Sequence, residues 1–141
     1  MSEIKTLSEV NIREGLFIRS SARDGKPKLL GSRCRETGDI FYPREAMSPS
    51  VRKPGTLEDI ELDGVGRIIA FTIVRRALPG FNSPYALALI QLSDGVTTFS
   101  QLENWSVDNL KVGAEVTLTI GTINTREDGV KVIGPKFRIN D

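Results

Sequence analysis

Apolar residues alternate with threonine from Val116 to Ile120: Val116, Leu118 and Ile120 share one side, Thr117 and Thr119 the other. A period of two is what a strand with one buried face shows. The same reading predicts strands at residues 67–75, 85–92 and 96–102. A last run passes through Val130, Lys131 and Val132 and ends at Phe137 and Ile139. Asp94-Gly95 and Asp128-Gly129 each stand between two of these runs. Asp-Gly in that setting predicts tight hairpins, and a two-residue type I′ turn requires positive φ at both central positions. Residues 77–84, ALPGFNSP, carry the Pro, Gly and Asn of a loop, and residues 106–110 predict one helical turn. About five strands, with a short helix before the fourth, describe a small closed barrel that leaves no exposed sheet edge. The fold class expected is mainly β, with the five-stranded OB-fold barrel as the obvious candidate; periodicity alone leaves other small barrels open.

Upstream of residue 55 the pattern is different. Val10, Ile12, Leu16 and Phe17 suit one face of a short N-terminal helix capped by Ser8 or Asn11, and Gly15 weighs against it. Residues 29–50 then have the outline of a zinc ribbon. Cys34 and Gly38 keep part of a first ligand knuckle, Phe41-Tyr42-Pro43 keeps a strand end, and the second pair falls at Met47 and Ser50. Structural zinc takes four nitrogen or sulfur ligands, and Thr37, Met47 and Ser50 are poor substitutes for thiolates. No zinc is therefore expected. Packing of Leu29, Ile40, Phe41, Tyr42 and Met47 would have to hold this rubredoxin-like β-hairpin instead. Pro43, Pro49 and Pro54 punctuate a linker, so the expected division is residues 1–54 for helix and hairpin and 55–141 for the barrel.

Composition narrows the function classes. The 141 residues suit one domain, or one with a small appendage. Nineteen basic residues against eighteen acidic ones leave a charge of +1, which argues against a broad nucleic-acid or anionic-membrane footprint. No run approaches the ~18 apolar residues that read as a membrane span. The polar start, MSEIKTLSEV, does not read as a signal peptide, and a single cysteine fits a reducing compartment, so a cytoplasmic location is expected. The chain has no histidine. No Ser-His-Asp triad, Cys-His pair or histidine metal site can be built from it.

The order of the pieces resembles an OB-fold family catalogued as domain of unknown function thirty-five. The matching residues are Leu30-Gly31-Ser32-Arg33-Cys34, Ile40-Phe41-Tyr42-Pro43-Arg44, and Gly64-x-Gly66 leading into Phe71-Thr72-Ile73-Val74. They continue as Phe81-x-x-Pro84-Tyr85-Ala86-Leu87-Ala88-Leu89-Ile90-Gln91-Leu92-x-Asp94-Gly95 and end at Leu110-x-Val112-Gly113-x-x-Val116. The resemblance implies an N-terminal helical segment, a zinc ribbon and an OB barrel. It also implies a partner, a thiolase-fold subunit that carries the nucleophilic cysteine. On that reading the chain is a non-catalytic accessory subunit of a hetero-oligomer that helps form the channel for a coenzyme A thioester. Carbon–carbon bond cleavage or formation, or acyl transfer, would take place on the partner. Neither a cofactor nor the family's zinc is carried over.

Five residues are candidate ligand or partner contacts. Phe81, Pro84 and Tyr85 lie in the loop after a long strand, where barrel folds commonly bind; alternatively Tyr85 begins a strand and plugs the barrel end. Arg75 and Arg76 precede that loop. Their guanidinium forks suit coenzyme A phosphates, and a solvated strand end is the plainer reading. Trp105 reads as a plug or an interface anchor. Cys34, flanked by Arg33 and Arg35, lacks a base and reads as a vestigial ligand, so no catalytic residue is expected. Two rival classes remain, a single-stranded nucleic-acid-binding OB module and a stand-alone acyl-CoA-binding protein. The aliphatic strands and near-zero charge weigh against the first.

Overall fold

Alternation along Tyr85–Leu92 is visible directly in the computed structural model: Ala86, Ala88, Ile90 and Leu92 are buried while the residues between them face outward. Residues 9–13, 15–44, 54–76 and 78–140 are described. They form β1 (Glu9–Asn11), β2 (Phe17–Ile18), β3 (Lys28–Cys34), β4 (Ile40–Phe41) and β5 (Leu57–Asp63). The second half supplies β6 (Val65–Val74), β7 (Tyr85–Leu92), β8 (Thr97–Glu103), β9 (Glu115–Thr125) and β10 (Lys131–Ile139). No helix occurs among the described residues.

The last five strands pair in a ring. β6 pairs with β7, β7 with β8, β8 with β10, β10 with β9, and β9 with β6; only β8–β10 is parallel. Their inward residues, including Ile68, Ile90, Leu102, Val116, Leu118 and Phe137, form one apolar core. The predicted turn at residues 106–110 is present as a single bond from the Leu110 N–H to the Ser106 carbonyl, 3.1 Å. Leu110 and Trp105 from this segment pack on the core.

The Asp-Gly hairpins form, but with a different turn from the expected one. Gly95 has φ 90°, and Asp94 is not in the positive-φ region. The Gly95 N–H donates to Leu92 and the Leu92 N–H to Val96, each at 2.8 Å. This is a three-residue loop closed by a left-handed glycine, an alternative that also suits the strands' twist. Residues 126–130 repeat it around Gly129, φ 83°.

The N-terminal expectation needs a larger correction. Val10 lies in β1, which pairs in parallel with β10 through Glu9–Lys131, Val10–Val132 and Asn11–Ile133. Phe17 lies in β2, which pairs with β3. Gly15, at φ 75°, breaks the segment between them. Tertiary strand pairing overrides a weak helical periodicity here, because no helical bond ladder can pass a left-handed residue.

β3 is the centre of the N-terminal sheet. Its seven residues pair along one edge with β5, from Lys28–Asp63 to Cys34–Leu57, while β2 and β4 share the other edge. Leu29 and Leu62 join the same core as the ring. Between β5 and β6 the chain passes Gly64, where a Cβ would collide with the Leu118 side chain. The Gly64 carbonyl accepts the Leu118 N–H at 2.6 Å. Only glycine allows this close approach of the two sheets.

Candidate functional site

Residues 78–84 fold back over the end of β9. The Thr125 N–H donates to the Gly80 carbonyl at 2.7 Å, and Gly80 takes φ 95° to make that contact. Phe81 stacks on Tyr85, with ring centroids 5.9 Å apart and planes at 24°. Phe81, Pro84 and Tyr85 thus come together on a pocket of about 370 Å³, joined by Trp105 and the amides of Asn82 and Asn124. The Glu103–Lys136 ion pair, 3.4 Å, closes another side. Arg75 and Arg76 stand exposed beyond the end of β6 and are not among the residues lining this pocket.

A larger cleft, about 820 Å³, opens where β1 and β8 leave part of the β10 edge uncovered. β1 covers Lys131 to Ile133 and β8 covers Phe137 and Arg138; Pro135, which has no N–H to donate, lies in the interval. The cleft is lined by Ile12, Arg13 and Tyr42 on the N-terminal side and by residues 97–101 of β8 on the other. Gln101 bridges the two cavities. Its Nε2 donates at 3.1 Å to the carbonyl of Ile123, a residue that the β9–β10 register skips at a bulge. Burial pushes the Tyr42 hydroxyl up to about 12, and the positive charge of Arg13 only partly opposes this. The sequence reading missed this cleft, whose one visible signal was Phe99, an aromatic residue among Thr97, Thr98, Ser100 and Gln101.

Cys34 is 1% exposed at the end of β3. Its N–H donates to the Asp39 carbonyl and its own carbonyl accepts from Gly38, both at 2.8 Å. The Thr37 hydroxyl accepts the Asp39 N–H at 3.2 Å, a local turn bond. Met47 and Ser50 lie outside the described residues. With one cysteine and no histidine in the whole sequence, the donor set does not fit a tetrahedral structural zinc. Burial also leaves the Cys34 thiol poorly placed for nucleophilic chemistry.

Comparison with known proteins places this architecture. Residues 59–121 match the family described as the ChsH2 C-terminal OB-fold domain. A DUF35 domain-containing scaffold protein of Pyrococcus furiosus is 34% identical over 116 residues, covering 80% of this chain and 84% of that protein. The benzoylsuccinyl-CoA thiolase subunit BbsA of Thauera aromatica is 32% identical over 116 residues, covering 82% of this chain and 79% of that one. Among solved structures, the Ltp2-ChsH2(DUF35) aldolase superposes with a TM-score of 0.64 at 21% identity, covering 79% of this chain and 84% of that one, a likeness of fold. The chain belongs to the DUF35 family of OB-fold proteins.

Proposed function

We propose that the chain is a non-catalytic accessory subunit of a thiolase-type acyl-CoA complex, steadying a thiolase-fold partner and helping form the channel for the coenzyme A thioester. The observation that carries this reading is the 32% identity to a protein named as a thiolase subunit, over most of the length of both. The residue inventory supports it. A chain without histidine, whose single cysteine is buried, has little with which to form or break a carbon–carbon bond. In this reading the gathered Phe81, Pro84 and Tyr85 contact the acyl-CoA or the partner, and the exposed Arg75 and Arg76 meet coenzyme A phosphates. The subunit works in the cytoplasm, holds no zinc, and binds neither nucleic acid nor membrane.

Expression with and without a thiolase-fold protein tests this. The expected result is co-elution as one complex and thiolytic activity that appears only with both chains. Turnover by the isolated chain would contradict it. Salt-sensitive binding of single-stranded DNA or RNA in a low-salt filter assay would favour the nucleic-acid module instead. Tight calorimetric binding of an acyl-CoA by the chain alone would favour a stand-alone carrier.

A further inference from the structure

Five consecutive residues of β8, Thr97 to Gln101, line the 820 Å³ cleft. Successive strand residues point to opposite faces, so a cavity over one face touches every second residue. A cavity touched by five in succession runs along the strand's edge. That edge carries no strand among the described residues. β7 pairs the opposite edge of β8 along this stretch, and β10 is met only at Leu102 and Glu103. The Phe99 and Gln101 carbonyls accept the hydroxyls of Thr98 at 3.4 Å and Ser100 at 3.0 Å. These are local bonds that an incoming strand's N–H groups would replace. Natural edges are guarded by charged side chains, proline or bulges, and residues 97–101 have none of these.

We infer that this edge is a docking site for one extended segment of the partner subunit, added to the ring as a further strand. The inference rests on the accessory-subunit reading above. The length fits, since five extended residues span roughly 17 Å at ~3.3 Å each. The fold already uses the same device alongside, where β1 adds to the part of the β10 edge that β8 does not reach. Side chains on one face of the segment would cover Phe99, which is 73% exposed, and Ile12, also exposed. Main-chain bonds supply affinity in this mode and side-chain pockets supply selectivity. Among the described residues that line the cleft, Arg13 is the one charged side chain. The segment that fits is therefore apolar, with a carboxylate at the end nearest Arg13.

Hydrogen–deuterium exchange on the full chain, alone and in complex with the co-purified thiolase-fold subunit, tests the inference. The amides of Thr97, Phe99 and Gln101, which face away from β7, should exchange at least about tenfold more slowly in the complex. Phe99→Asp, at an exposed position, should keep the melting temperature and weaken the complex at least about tenfold. Protection confined to other segments, with residues 97–101 exchanging as in the isolated chain, would overturn the inference and leave the accessory role standing. Failure to bind any thiolase-fold protein would remove the accessory role and this inference with it. Concentration-dependent protection of residues 97–101 in the isolated chain would make the occupant a second copy, which also overturns it.

Discussion

The Lys28 ammonium lies 2.6 Å from the Asp63 carboxylate, joining the first residue of β3 to the last of β5 where the two sheets meet. Asp24 closes the triad at 2.9 Å. Lys28 is 4% exposed, whereas the Asp24 and Asp63 side chains are 38% and 56% exposed, so the ammonium is shielded from water while its carboxylate partners stay solvated. The hydrogen bonds to Lys28 hold both carboxylates below the usual range, and those to Asp63 and Asp24 raise the lysine. The carboxylate contribution to stability is present above their unfolded value of 3.8 and is lost as pH falls through the lowered folded values. The lysine contribution is present below 10.5 and is lost as pH rises through its raised folded value. Thermal melts should show a plateau between these limits. Lys28→Met should lower the plateau by about 5 °C or more and flatten its acid limb. A variant that melts like the parent at pH 7 would show the triad to be inert.

Gly64→Ala tests the junction from the backbone side. The added Cβ meets Leu118, and the bond between the Gly64 carbonyl and the Leu118 N–H prevents the two strands from moving apart. A loss of about 3 kcal/mol in denaturant unfolding is expected. Gly95→Ala, strained by its φ of 90° but with open space around the Cβ, should cost only about 1 kcal/mol. Equal costs at the two positions would mean that close approach is not what fixes Gly64.

The hairpin should be independent of metal and mildly sensitive to salt. Ion pairs reach β5 from β3 and from the residues after β4, with Arg33–Glu58 at 2.6 Å and Arg44–Asp59 at 3.2 Å. Each is exposed and worth about 1 kcal/mol or less, screened as ionic strength rises. Elemental analysis should find well under one zinc per chain, and a chelator should leave the melting temperature unchanged. One equivalent of tightly held zinc would refute the donor argument.

Tyr42 should titrate late. Burial raises its hydroxyl to about 12, so its contribution to stability is present below the unfolded value of 10.0 and is lost as pH rises through about 12. Ultraviolet titration should resolve a late tyrosine that Tyr42→Phe removes. Arg13→Ala should move that step later still, since the guanidinium favours the phenolate.

Arg75→Ala combined with Arg76→Ala bears on the coenzyme A reading. Both side chains are exposed, so the melting temperature should hold. In the reconstituted complex, KM for the thioester should rise several-fold with kcat kept, the pattern of lost uniform binding. An unchanged KM would leave these arginines as a solvated strand end.

The strands of the ring were legible because their alternation coincides with burial in a single core. The run from Val116 to Ile120 lies inside Glu115–Thr125, and 85–92 was read to the residue. Local chemistry gave the presence of the Asp-Gly turns but not their type, because one left-handed glycine closes a three-residue loop as well as two such residues close a shorter one. The candidate loop was legible in part. Pro, Gly and Asn marked residues 77–84, but the stacking of Phe81 on Tyr85 depends on where β9 ends.

The sequence by itself determined the mainly β class, the family likeness, and the lack of histidine and thiolate donors, since each is a matter of period or inventory. Only the tertiary structure decided that Val10 and Phe17 lie in strands, that a buried Lys28 is paired with two exposed carboxylates, and that among the described residues β8 leaves an edge open beside β10. These features depend on which distant segments meet, and pairing energies between strands far apart in the chain are not written in either strand's own periodicity.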